Sequence, residues 1–303
     1  MTPPAPLVTP TRLTAATLAA LAVITLAVLG AGLAETGTGE LRIPAAGTTT
    51  LLRVLVLTAL AVQIGEIAGA RLAGDGPLPR GRSVPAALLG AAASAGLLVL
   101  FATVSGLGLA TVYGTREGGL LLVTANALAL SALCAASRRP VLALVPLAAA
   151  ITAEALRAHP EPNSPAIGVA LTVVHLTAAS LWLGTLLHVL RTMRLRGGGR
   201  EVLVRYARMA AWLYAALMAT GTCSTLRRLP LDVVLSTAYG RVLLAKLGLV
   251  GVASLLALAA RRRMLRGGDA QAPARTELGV LAVIMLVSAV LTVVPDPHWL
   301  HPA

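Results

Sequence analysis

The stretch AIGVALTVVHLTAASLWLGTLLHVL, residues 166–190, decides the fold class of this chain. It contains no Asp, Glu, Lys or Arg, and as a helix it would rise about 37 Å, enough to cross a hydrocarbon core of about 30 Å. Its residues do not alternate between apolar and polar as they would in a transmembrane β-strand. Because lipid offers no hydrogen bonds, the backbone must satisfy itself, and the stretch predicts a transmembrane α-helix.

Similar apolar runs occupy most of the chain, which is 57% hydrophobic and 12% charged, with a mean hydropathy of +0.83. The sequence predicts an all-α, polytopic membrane bundle of about nine helices. The predicted spans are 13–33, 51–72, 85–112, 116–136, 140–157, 166–190, 202–226, 240–260 and 277–295. The third contains Gly106 and Gly108, so we expect it to tilt or to end early. These spans leave no room for a soluble catalytic domain, and we predict no enzymatic activity.

The spans divide into a five-helix segment, 1–165, and a four-helix segment, 166–303. The first span, 13–33, is either a retained signal anchor or a cleaved signal peptide. Its apolar run is longer than the hydrophobic region of a usual signal peptide, which favours a retained span.

The formal net charge of +13 comes from arginines in short loops, a pattern that indicates membrane topology and not nucleic-acid binding. On the nine-span map, seventeen arginines fall on the side of the N-terminus and seven on the other. Cytoplasmic loops carry the excess of basic residues. The N-terminus is therefore predicted to be cytoplasmic and the C-terminus external, and the lipid bilayer is the first predicted partner.

Few polar groups lie at membrane depth, and an ionisable group there is a functional candidate by default. The candidates are Gln63, Glu66, His175 and Lys246 within the spans, with Glu154 and Glu277 near span ends. Structural explanations remain open for several of them. Lys246 either snorkels to the outer interface or takes part in a site, Glu66 either pairs with Arg71 or has a functional role, and His175 is either a packing residue or a ligand.

The helical spacing puts His175, Ala178, Ala179 and Trp182 on one face of the sixth span. Met218 is predicted at a similar depth in the next helix if that helix runs antiparallel. Imidazole and thioether ligands suit copper, particularly Cu(I), so a soft-metal site at His175 and Met218 is one hypothesis and side-chain packing is the other.

The predicted nine-span topology places the members of two other residue pairs far apart. His188 lies about 20 Å along the same helix from His175, too far to share an ion. Cys134 and Cys223 fall near opposite membrane faces, which excludes a disulfide between them.

Three motifs in the second half of the chain resemble those of CopD-type copper resistance proteins. The segment from His175 to Gly184, HLTAASLWLG, resembles an H-x-x-A-A-x-x-W-x-G signature. The segment 205–212, RYARMAAW, resembles an R-F-S-R-x-A block, and 236–246, STAYGRVLLAK, resembles a T-x-Y-G-R-x-L-L-x-K motif. The resemblance covers about 166–295, and the first five spans are similar only in layout.

The resemblance implies a multi-pass protein of the bacterial plasma membrane that imports or relays copper, with copper ion as cargo and a CopC-like periplasmic or extracellular protein as a possible partner. It implies His159, in the outer loop, as a further metal ligand beside His175 and Met218. It also singles out Trp182, Tyr239, Arg241 and Lys246. The loop after His159 lacks the second histidine found in many members, and Thr185 replaces a second glycine.

A different class of function remains open. The protein would then be a non-transporting scaffold or assembly factor for cytochrome oxidase or another metalloprotein. A neighbouring gene for a CopC-like protein would favour copper import, and neighbouring oxidase assembly genes would favour the scaffold.

Overall fold

The protein is described from a computed structural model that covers residues 10–137, 139–158, 164–229 and 233–295. Within these ranges every regular element is helical. The helices are α1 (Pro10–Glu35), α2 (Ala46–Ala73), α3 (Ser83–Ser105), α4 (Leu109–Gly114), α5 (Arg116–Ala136), α6 (Leu144–Arg157), α7 (Pro165–Arg196), α8 (Arg200–Arg228), α9 (Ala238–Leu265) and α10 (Gln271–Leu291). A 3₁₀ turn, Pro140–Ala143, leads into α6.

Eight of the described helices are long and apolar enough to span a membrane, and Leu21–Glu35 of α1 is a shorter apolar helix. The all-α polytopic prediction is therefore confirmed. The predicted third span does end early, because Gly106 adopts a left-handed conformation (φ 67°) and terminates α3. The rest of that run forms the short helix α4.

Helix α2 lies at the centre of the packing, with its most extensive contact against α7 and the next against α3. On one side, α3, α5 and α6 pack in succession. On the other, α7 pairs with α8 and α9 pairs with α10. Helix α1 packs against α2, α9 and α10, so the first span contacts helices from both predicted segments.

The contact between α2 and α7 is made through glycine. A Cβ atom on Gly184 would lie 1.7 Å from the carbonyl oxygen of Ala61, and one on Gly65 would lie 2.0 Å from the carbonyl carbon of Gly184. One turn further, a Cβ on Gly69 would lie 2.6 Å from the His188 ring. Small residues allow transmembrane backbones to approach this closely, and the dispersion contacts that follow drive helix association in lipid.

Polar groups in α2 are satisfied by neighbouring helices. Gln63 is fully buried and accepts a 2.6 Å hydrogen bond from the Ser131 hydroxyl of α5. Glu66 forms an ion pair of 3.0 Å with Arg191 of α7 and accepts the backbone N–H groups of Arg82 and Ser83. The expected partner, Arg71, lies on the same helix as Glu66, whereas Arg191 reaches it from the helix packed alongside.

We expect Gly184→Ala to destabilise the protein by about 3 kcal/mol, because the new methyl group forces the α2 and α7 backbones apart. Gly251→Ala in α9 is the matched control, since nothing lies within 4 Å of its Cβ position. Thermal unfolding in detergent micelles would measure both variants. Equal stability of Gly184→Ala and the control would contradict the close contact.

The predicted orientation is tested by placing one cysteine at Gly198, between α7 and α8, in a Cys134→Ser, Cys223→Ser background. A membrane-impermeant maleimide added to intact cells should leave this cysteine unlabelled, and should label it only after the cells are opened. Labelling of intact cells would reverse the orientation of the whole bundle.

Candidate functional site

The pairs α7–α8 and α9–α10 are joined mainly through α7 and α10, whereas α8 has little contact with α9. A cleft is therefore left between the two pairs. Three cavities follow this cleft from the predicted outer end toward the predicted cytoplasmic end. They are called below the outer, middle and inner cavities, and neighbouring cavities share wall residues.

The outer cavity, of about 200 Å³, is formed where six helices come together. Arg53 comes from α2, Glu154 from α6, His175 from α7, and Tyr239 and Lys246 from α9. Hydroxyl groups of α8 and α10 complete its polar wall, those of Ser224, Thr225, Ser288 and Thr292. Ionisable and hydroxyl side chains are thus set into a lining that is otherwise apolar.

His175 lies between the outer and middle cavities and lines both. Its Nδ1 atom is 2.9 Å from the Thr220 hydroxyl oxygen of α8. That hydroxyl has one hydrogen, which it donates to the Ala216 carbonyl at 2.7 Å. With the hydrogen on that carbonyl, the Thr220 oxygen accepts from Nδ1–H, and in this tautomer a neutral His175 keeps its Nε2 lone pair. A hydrogen bond of this kind is how proteins orient a histidine for metal binding.

The middle cavity, of about 120 Å³, brings His175 together with the sulfur side chains of Met218 in α8 and Met285 in α10. Met285 accepts a 3.6 Å hydrogen bond from the Thr58 hydroxyl. Lys246 and Trp182 line the same cavity. One imidazole and two thioethers from three helices form a donor set that suits Cu(I).

The inner cavity, of about 280 Å³, contains a buried carboxylate. Glu277 of α10 is 3% exposed and accepts hydrogen bonds from the Trp182 indole at 3.1 Å and from the Tyr206 hydroxyl at 3.4 Å. Trp182 also meets Tyr214 edge to face, with ring centroids 5.9 Å apart. Trp182 and Tyr214 both line the middle cavity as well, so they form the wall between the middle and inner cavities.

The cleft brings together four of the predicted site residues, His175, Met218, Trp182 and Lys246, and Tyr239 joins them in the outer cavity. Arg241 does not line these cavities; its guanidinium donates to the carbonyl oxygens of Thr36 and Leu235 and fixes the loop after α1 against the start of α9. His159 lies outside the described residues.

Two groups matter more than the sequence indicated. Met285 was not singled out because a methionine in an apolar span has no visible signal. Glu277 was placed near a span end, where a carboxylate is common, but the structure buries it beside Trp182. The roles of Met285 and Glu277 depend on which helices pack together, and the sequence alone does not show that pairing.

The other titratable groups of the spans lie apart from the cleft. His188 is 4% exposed and lines a separate cavity with Gln63 and Glu66, and neither of its ring nitrogens has a hydrogen-bond partner among the described residues. Cys134 and Cys223 are both free thiols, which confirms that no disulfide joins them. In the described part of the chain, no three His, Cys, Asp or Glu side chains gather as a metal cluster.

We expect Glu277→Leu to destabilise the protein by about 1–3 kcal/mol, because the Trp182 and Tyr206 donors lose their acceptor. Glu277→Gln keeps a carbonyl oxygen for those donors and should stay within about 1 kcal/mol of the wild type. Glu201→Gln, at an exposed ion pair with Arg205, is the control. Thermal unfolding in detergent measures all three, and a neutral Glu277→Leu would argue against the buried hydrogen bonds.

Comparison with known proteins gives one family match. Residues 200–294 match the model of the CopD family, described as copper resistance protein D. No curated protein and no solved structure matches the chain. The matched range contains Met218, Lys246, Glu277 and Met285, while His175 lies before it on α7. Residues 200–294 are thus similar to the CopD family of copper resistance proteins, and they lie within an all-helical, polytopic membrane protein.

Proposed function

We propose that the protein carries Cu(I) across the bacterial plasma membrane, inward, through the cleft between the α7–α8 and α9–α10 pairs. The observation that carries the proposal is the middle cavity, which His175 lines together with the side chains of Met218 and Met285 at membrane depth. The CopD match over 200–294 supports copper as the cargo.

The donor set fits a transient site better than a storage site. Thioethers bind Cu(I) but carry no charge, so one neutral imidazole and two thioethers hold the ion without neutralising it. Transport requires a site that is strong enough to be entered and weak enough to be left.

The three cavities supply the path on either side of that site. The outer cavity shares His175 and Lys246 with the middle one, and the middle cavity shares Trp182 and Tyr214 with the inner one. A cation that leaves the middle cavity toward the cytoplasm would meet Glu277, whose carboxylate lies in the inner cavity. Trp182 separates the two and is held by its hydrogen bond to Glu277.

The decisive variant is His175→Ala. Removing the only imidazole that lines the cleft in the described part of the chain should reduce copper uptake into proteoliposomes at least about tenfold, while insertion and yield stay unchanged. Met218→Leu and Met285→Leu should each reduce uptake less. His188→Ala, in a separate cavity, is the control and should leave uptake unchanged.

Two further variants separate ligation from packing. His175→Asn can hydrogen-bond but ligates copper poorly, so it should fold and fail to bind Cu(I) in a competition assay with a chromophoric Cu(I) chelator. Thr220→Val removes the acceptor of Nδ1–H and should weaken Cu(I) binding about 10–100-fold, as loss of an outer-shell partner does. A His175→Asn protein that still binds and carries copper would reject the transport site and favour the scaffold or assembly-factor role.

A further inference from the structure

The described residues that line the outer cavity have an excess of positive charge. Arg53 and Lys246 both line it, yet neither forms an ion pair or hydrogen bond within the described residues. The Nε atom of Arg53 is buried and unsatisfied. A buried donor without a partner is costly, and a buried charge without a counter-charge is more so.

The carboxylates nearby are already used. Arg157 of α6 bonds Glu154 at 2.7 Å and Glu117 at 2.8 Å. Glu154 is the only carboxylate among the described residues that line the outer cavity. Counting Arg53, Arg157 and Lys246 against Glu117 and Glu154 leaves one positive charge without a counter-charge.

The hydroxyl groups of the outer cavity do not resolve this excess. Those of Thr172, Thr225, Ser288 and Thr292 each donate to a carbonyl oxygen of their own helix. Their hydrogens are thus committed to the backbone, and the cationic side chains with donors to spare among the described residues are Arg53 and Lys246. Two cationic donors that face one cavity from α2 and α9 form the recognition half of an anion site.

We propose that the outer cavity binds a group with a single negative charge shared by two equivalent oxygens, a carboxylate or a phosphodiester. One such group would neutralise the excess charge, with one oxygen accepting from the Arg53 guanidinium and the other from the Lys246 ammonium. A carboxylate would come from a small free acid in the external medium. A phosphodiester would come from a phospholipid whose headgroup enters the cavity.

This inference does not depend on copper transport. Anion binding would nevertheless affect copper transport. Arg53 and Lys246 would repel a free Cu⁺ ion, whereas they would not repel a Cu⁺ ion accompanied by an anion. The test therefore measures anion binding directly and leaves copper out, so that its failure and the failure of the transport proposal are distinguishable.

The first arm titrates purified protein in a nonionic detergent with sodium acetate, which replaces sodium chloride at constant ionic strength. We expect a saturable rise in the unfolding temperature of the wild type. Arg53→Gln and Lys246→Met should each weaken acetate binding at least about tenfold, whereas Arg275→Gln, an exposed arginine bonded to Gln271, should not. Without acetate, Lys246→Met should unfold at a higher temperature than the wild type, since it removes an uncompensated buried charge.

The second arm identifies a lipid source by native mass spectrometry of the same proteins. One phospholipid retained by the wild type and by Arg275→Gln, but lost from Arg53→Gln and Lys246→Met, would support the phosphodiester. If the wild type shows no saturable acetate effect and retains no lipid, the proposal is overturned. It would also be overturned if acetate bound only after Glu161, Asp232 or Asp296 had been changed to the amide, because the chain's own carboxylate would then fill the cavity.

Discussion

The backbone contact between α2 and α7 is the constraint on which the rest of the structure depends. Gly65 and Gly184 leave no room for a Cβ atom between the two helices. In lipid this is a strong determinant, because the apolar side chains gain nothing by leaving the surrounding tails and association depends on close packing. The crossing fixes the depth of α7 relative to α2, and thereby sets His175 of α7 and Arg53 of α2 in the wall of the same cavity.

The same constraint explains why the cleft opens where it does. Helix α7 is held to α2 along one face and to α8 along another, and α10 is held to α9 and also reaches α7. No comparable contact joins α8 to α9. A gap between two well-packed pairs can accept polar residues without breaking either pair, and Glu277, Lys246 and His175 all line it.

The type and approximate limits of the helices could be predicted from the sequence, because each span is a long apolar run and lipid permits few alternatives. Of the nine predicted spans, eight are span-length helices in the described residues and the first is a shorter apolar helix. The predicted 116–136 agrees with α5, and the early end of the third span follows from Gly106. Helix pairing was not predictable, since the apolar residues of one span resemble those of every other. For Glu66 the sequence suggested only a partner on its own helix, Arg71, whereas the ion pair is with Arg191 of α7. His175, Trp182 and Lys246 could be selected without the pairing, from their chemistry and their motif.

The polarity of the three cavities changes along the cleft, and that order bears on direction. Among the described residues, the outer cavity is lined by Arg53, Lys246 and Glu154, the middle one by neutral soft donors and Lys246, and the inner one by Glu277 and Arg261. A cation that moves from the outer to the inner cavity therefore leaves a net positive lining for one in which Glu277 offsets the charge of Arg261, and the repulsion becomes weaker. If the protein carries Cu(I) as proposed, the outer cations would hinder a bare cation, and His175 and the methionines would favour a soft one among those that pass. Charge and donor softness together would select the cargo, and neither could do so alone.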